Sequence, residues 1–288
     1  MEKYLLLFLT GLLIIVGSTQ QVIATPTSIL YLANGDGDSV NRGIYAIDGT
    51  DIHRWDNDAD VFTIAVQDTI NTLVSNDYSY PNITGKQYTL DGVFTGVTYS
   101  HPGFFEYGSF HDGATDGEYN YAISNDFGSN LYRFDLNWAN PEILFNVGDY
   151  GTKLGITYDN TNNSLWVSGF AGSDVIDNWS MDGVLLSSFN TGHNLNAALA
   201  LDYADQTLWV RDRNSLSALF EQYSKSGELL DTVDFGNLGN TLGGEFAFPT
   251  VIDPDPDTPP PVPEPATILL FGLGIIGLAG VSRKKLKK

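Results

Sequence analysis

Gly155-Ile156-Thr157-Tyr158-Asp159 and Ala198-Leu199-Ala200-Leu201-Asp202 share one plan, an apolar strand that ends in aspartate. Each is followed by a Leu-Trp-Val strand, Leu165-Trp166-Val167-Ser168-Gly169 and Leu208-Trp209-Val210-Arg211-Asp212, with the tryptophans 43 residues apart. An aromatic strand then runs into a glycine turn: Trp179-Ser180-Met181-Asp182-Gly183 in one unit, Tyr223-Ser224-Lys225-Ser226-Gly227 in the other. A leucine-rich strand completes each unit. In the second unit Leu229, Val233 and Phe235 alternate with Thr232 and Asp234, the pattern of a half-buried strand.

The same beat runs outward through the chain. Strands like the Leu-Trp-Val one recur at Ile29–Gly35, Thr72–Asp77 and Tyr121–Asp126, and turn glycines recur at Gly49 and Gly92. The doubled interval between Gly92 and Gly183 spans a degenerate turn near Leu136-Asn137. Four-stranded units repeating every 40–45 residues or so are the signature of a β-propeller. The count predicts an all-β chain of five four-stranded blades. A β-sandwich needs no such repeat; a larger propeller with decayed blades is the other rival. The first unit lacks an opening strand before Ile29, and the last is followed by an orphan, Glu245-Phe246-Ala247-Phe248. Supplying that orphan to the first blade would close the ring and remove two exposed sheet edges. Residues 93–118 fit least well. Val93–Tyr99 suits either an outer or an opening strand, while His101-Pro102-Gly103 and Asp112-Gly113-Ala114-Thr115-Asp116-Gly117 read as an insertion or long loops.

The termini read as addresses. Lys3, the apolar run Tyr4–Val16 and the small-residue site Val22-Ile23-Ala24 have the layout of a secretory signal peptide over residues 1–24. The expected body is 25–250, followed by a Pro/Asp-rich extended linker at 251–262. The tail at 263–288 carries Val262-Pro263-Glu264-Pro265 at its entrance, an apolar run from Ala266 to Val281, and a basic stop of Arg283, Lys284, Lys285, Lys287 and Lys288. A helix over 266–281 would be about 24 Å long at 1.5 Å per residue, short for a hydrocarbon core of about 30 Å unless flanking residues join it. This tail resembles the sorting signal of the bacterial PEP-CTERM family. The resemblance implies export, transient anchoring in the inner membrane by the C-terminal helix, and handling by an exosortase-type enzyme. It further implies a destination at the cell surface or outside the cell, in a bacterium that makes extracellular polysaccharide.

Composition fits that route. The chain has no cysteine, so its core must hold without disulfides. Setting aside Lys3, Glu2, Glu264 and the tail's five basic residues leaves 8 basic against 33 acidic side chains, a net charge near −25. Such a surface repels nucleic acid and anionic lipid heads, and would grip acidic polysaccharide only through a cation bridge.

Chemical motifs are sparse. Asp56, Asp58 and Asp60 open like a calcium loop, but Val61 stands where the turn glycine belongs and Gln67 replaces the bidentate acid. Asn34-Gly35-Asp36-Gly37-Asp38 fails likewise. Calcium in another geometry and an acidic surface turn are the two readings; no other cofactor is expected. His53, His101, His111 and His193 have no metal-ligand spacing and would meet only through ring closure. No serine elbow, phosphate loop or cysteine nucleophile is present. Trp166 and Trp209 suit a sugar platform or, more simply, inter-blade core. The expected role is therefore a binding or structural module, with polysaccharide as a candidate partner. The alternative is a propeller lyase or hydrolase acting on an extracellular small molecule or glycan. A His/acid cluster at the channel mouth would favour the enzyme; a channel lined by backbone and apolar groups would favour the module.

Overall fold

A computed structural model describes residues 25–35, 41–55, 61–74, 82–102, 109–124, 128–149 and 151–250. Its strands, in chain order, are β1 (Leu30–Asn34), β2 (Gly43–Asp48), β3 (Asp51–Trp55), β4 (Thr63–Val66), β5 (Thr69–Leu73), β6 (Asn82–Thr89), β7 (Phe94–Pro102), β8 (Phe110–Thr115), β9 (Tyr119–Ser124) and β10 (Asn130–Asp135). They continue as β11 (Glu142–Asn146), β12 (Lys153–Asp159), β13 (Ser164–Gly169), β14 (Val175–Ser180), β15 (Leu185–Asn190), β16 (Asn196–Asp202), β17 (Thr207–Asp212), β18 (Leu219–Tyr223), β19 (Leu229–Asp234) and β20 (Thr241–Phe246). Five four-stranded antiparallel sheets result. Blades two to five are β4–β7, β8–β11, β12–β15 and β16–β19. Blade one is β20-β1-β2-β3, so the last strand supplies the innermost position of the first blade.

The closing strand is the expected one, with shifted bounds. Pairing runs from Leu30 with Phe246 to Asn34 with Thr241, so the strand starts four residues before Glu245. Leu242-Gly243-Gly244 disguises its first half, because glycine is depleted in strands. Residues 93–118 need a correction. Phe94–Pro102 is the outer strand of blade two, and Phe110–Thr115 is the innermost strand of blade three, so Asp112 to Thr115 is not a loop.

The turn glycines do what their spacing implied. Gly92, Gly183 and Gly227 each close the hairpin between third and fourth strands with φ of +79°, +77° and +86°. Their amides donate to Thr89, Ser180 and Ser224 carbonyls. In blade three that turn instead carries Trp138, at φ +60° and fully buried.

The second strand of four blades presents an aromatic to the following blade. Tyr31 packs with Ile64, Val66 and Ile70, and Tyr121 with Ile156 and Tyr158. Trp166 packs with Leu199 and Leu201, and Trp209 with Leu30, Leu32 and Phe246. Both tryptophans are inter-blade core, at 2% and 0% exposure, and neither is a surface platform.

Candidate functional site

The innermost strands β4, β8, β12, β16 and β20 line the ring's axis, and four of the five carry a bulge near their upstream ends. The ladder slips between Phe110 and Gly113, between Lys153 and Ile156, and between Asn196 and Leu199. Pairing of β20 with β1 slips at the corresponding place, between Gly243 and Thr241. A bulge frees the next backbone amide from its ladder. The four amides so placed, of Gly113, Ile156, Leu199 and Gly244, all donate to the carboxylate of Asp112, at 2.9, 3.0, 3.1 and 2.9 Å. Two reach each oxygen, which fills the four lone-pair sites of a carboxylate. Asp112 is wholly buried. Burial raises its carboxyl well above the usual range, against the downward pull of the four amides.

One long side chain fits at this level because its counterparts are small. The residues preceding Ile156, Leu199 and Gly244 are Gly155, Ala198 and Gly243. A Cβ on Gly243 would lie 1.8 Å from the Phe62 carbonyl, and one on Gly155 2.2 Å from that of Ala197.

The next residues along the axis are Ala114, Thr157, Ala200 and Glu245, again one long chain among small ones. Glu245 is wholly buried. Its Oε1 accepts from Thr157 Oγ1 at 3.0 Å and from Tyr203 Oη at 3.3 Å, whereas Oε2 has no partner among the described residues. Burial, then the charge of Asp112, raise the Glu245 carboxyl well above its usual range, against the pull of Thr157 and Tyr203. The pair therefore divides its roles: Asp112 has donors for a full negative charge, and Glu245 is the one set up to keep its proton. Burial, followed by Glu245, likewise raises the Tyr203 phenol.

Both ends of the axis are plugged. Phe62, Leu154, Ala197 and Leu242 form a buried apolar cluster at the bulge end, edged by Phe170. At the other end the Phe248 ring lies 5.8 Å from Tyr158 and 5.4 Å from Tyr203. Among the described residues the axis is thus filled by side chains that tie the ring together.

The histidines are dispersed. His53 is exposed on β3, the outermost strand of blade one, and His101 lies on β7. His111 stands in the β8 bulge with its ring 5.6 Å from Phe62 and Nε2 3.3 Å from Ser109 Oγ. His193 sits between two acids: Nε2 is 2.9 Å from Glu221 Oε1 and Nδ1 is 3.4 Å from Asp212 Oδ2. Glu221 also receives the Tyr223 hydroxyl. Blade four has a counterpart, since Asp177 holds the Glu221 position opposite Val167 and pairs with Lys153 at 2.5 Å. Among the described residues no group of three or more His, Asp or Glu side chains is arranged to hold a metal ion. Asp56, Asp58 and Asp60 lie outside the described residues, as do Val262–Pro265 and the basic stop.

Asp112 and Glu245 escaped the reading of the sequence. The signal was present for Asp112: Asp116, Asp159 and Asp202 are evenly spaced by 43 residues, which aligns Asp112 with Gly155 and Ala198. Nothing of the kind marks Glu245 or the pairing of His193 with Glu221.

None of the curated proteins matches this chain. Among solved structures, a chain of a nidogen/laminin complex is similar over 76% of this chain and 98% of its own, at 13% identity and TM-score 0.51. A protein of unknown function from Bacteroides caccae covers 72% of this chain and 73% of its own, at 13% identity and TM-score 0.45. A functionally unknown protein from Desulfotomaculum acetoxidans covers 79% and 88%, at 12% identity and TM-score 0.45. Identities this low speak to fold alone. The tail is more specific, since the family described as the PEP-CTERM protein-sorting motif matches residues 261–284. The chain thus carries a PEP-CTERM sorting motif behind a five-bladed β-propeller body.

Proposed function

We propose that this is an exported bacterial protein whose propeller is a binding or structural module of the cell surface or extracellular matrix. Residues 1–24 direct secretion, and the tail from Val262 is handed to an exosortase-type membrane enzyme, the 266–281 helix anchoring the chain until then. The observation that carries this reading is the matched sorting motif at 261–284, behind a ring whose last strand ends at Phe246. Cargo and address are separate parts of the sequence. The plugged axis supports a module that recognises ligands on its blades, and the acidic body suits an extracellular protein that must stay soluble.

The test is fractionation of the full chain in a host with and without an exosortase-type enzyme. Wild type should leave the inner membrane only when the enzyme is present, and Glu264→Ala should stay behind while its body remains folded. Release of Glu264→Ala at the wild-type rate would sink the sorting role.

The second reading, a lyase or hydrolase, draws on His193 with Glu221 and Asp212. A half-exposed imidazole between two carboxylates is equipped to move protons. Loss of a hydrolytic or eliminative activity in His193→Gln, with folding intact, would favour it.

A further inference from the structure

Blade two breaks the repeat at two linked positions. In the other four blades the residues paired with Glu245, Ala114, Thr157 and Ala200 are Tyr31, Tyr121, Trp166 and Trp209. The matching residue in blade two, paired with Ala65 and turned towards blade three, is Asn71. In blades three and four the aromatic also donates to the aspartate that ends the inner strand: Tyr121 Oη to Asp116 at 2.5 Å, and Trp166 Nε1 to Asp159 at 3.0 Å. After β4 that aspartate is replaced by Gln67. Both halves of the lock are gone from one blade.

A cleft of about 300 Å³ lies where the lock would be. Gln67, Asn71, Gln87 and Tyr99 line it from blade two, and Thr115 and Asn137 from blade three. Part of this lining is prearranged. Asn71 Oδ1 accepts from Tyr99 Oη at 2.7 Å and from Gln87 Nε2 at 3.2 Å. Thr95 Oγ1 fixes the other end of Gln87 at 3.1 Å. The Asn71 amide nitrogen, on a residue only 8% exposed, is left without a partner among the described residues, and so is the Gln67 side chain.

We propose that this cleft binds a neutral sugar residue. The Gln67 carboxamide, able to donate and accept, and the Asn71 amide nitrogen, a donor, match the paired donors and acceptors of adjacent sugar hydroxyls. Leu136 and the Tyr99 ring offer apolar surface for the C–H face of a pyranose. Among the described residues no lysine or arginine lines the cleft, which leaves an anionic ligand without a counter-charge there. The volume is at the lower end of small-ligand sites, about 300–1,000 Å³, enough for one or two rings. The proposal rests on the binding-module reading and names its ligand class.

The test uses the full chain in a sugar-free detergent. It is titrated with glucose, galactose, mannose, N-acetylglucosamine and cellobiose by saturation-transfer NMR and calorimetry, with glucuronate as the charged comparison. At least one neutral sugar should bind, with a Kd of about 0.1–10 mM, some 3–5 kcal/mol. Asn71→Tyr restores the aromatic of the repeat; it should melt no lower than wild type and weaken binding at least about ten-fold. Gln67→Ala leaves the cleft open and should weaken binding several-fold; it decides the matter if Asn71→Tyr fails to fold. Absence of neutral-sugar binding, binding that neither variant alters, or preference for glucuronate would each overturn the proposal. A chain that is sorted normally yet binds no neutral sugar loses this site and keeps its proposed export role.

Discussion

The Gly244 amide donates to Asp112 Oδ1 at 2.9 Å across 132 residues of sequence, which joins the closing strand of the ring to the innermost strand of blade three. The same carboxylate holds Ile156 of blade four and Leu199 of blade five. Contacts within a blade dominate this fold, and most of those between blades join neighbours. Asp112 instead couples four of the five innermost strands through one group.

Replacing Asp112 should therefore cost more than a single hydrogen bond. Asp112→Ala strands four buried amides, and breaking a buried charged network costs about 3–5 kcal/mol. Asp112→Asn keeps the shape but turns one acceptor into a donor facing two amides, so it should be nearly as harmful. Urea midpoints measure both. A loss below about 1 kcal/mol for either variant would show that the ring does not depend on this carboxylate.

Glu245 gives a pH dependence whose sign is fixed by its raised carboxyl. Unfolded, it ionises near the ordinary glutamate value of about 4.3; folded, burial and Asp112 hold the proton well above that. The folded state thus binds more protons, and the contribution of Glu245 to stability falls as pH rises above about 4.3, until the folded group itself ionises. The slope from one proton is at most about 1.4 kcal/mol per pH unit. Glu245→Gln, neutral throughout, should flatten the unfolding profile between pH 4.5 and 7, taken as about the window set by the unfolded value. Parallel profiles for wild type and variant would contradict a protonated Glu245.

The sequence disclosed what repeats and hid what departs from the repeat. The Leu-Trp-Val strands and turn glycines were plain because four of the five blades use the same aromatic wedge and each outer hairpin needs the same positive φ. Asp112 was missed because Asp112-Gly113 has the composition of a turn, and only the spacing from Asp116 to Asp159 and Asp202 places it on a strand. The start of β20 was missed because Gly243 must be small to pass the Phe62 carbonyl, a demand set by the ring and not by the strand. Glu221 and His193 meet across 28 residues, and Asn71 becomes informative only once pairing aligns it with four aromatics.

Ring closure should be separable from the tail. A chain ending at Pro249 keeps β20 and Phe248, which caps the axis, so it should be monomeric, with the melting point of the full chain's body. A chain ending at Asn240 loses the innermost strand of blade one, exposes the β1 edge, and leaves Asp112 without the Gly244 amide. Exposed edges of this kind drive self-association. Size-exclusion chromatography of the two truncations should show a monomer and an aggregate. A monomeric, cooperatively folding chain ending at Asn240 would mean that β20 is dispensable.

The Lys153–Asp177 pair allows a sharper distinction between stability and fit. Its side chains are 7% and 11% exposed, so little solvent screens them. Removing one partner leaves a buried charge alone, and Lys153→Met or Asp177→Leu should each cost about 3–5 kcal/mol. Removing both leaves two apolar chains of similar volume, and the double variant should recover most of that loss or exceed wild type, because a buried ion pair seldom outweighs its desolvation. Denaturant unfolding of the four proteins completes the cycle. If the double variant is as unstable as the sum of the singles, the pair contributes no mutual stabilisation, and the two residues matter only through their separate packing against β12 and β14.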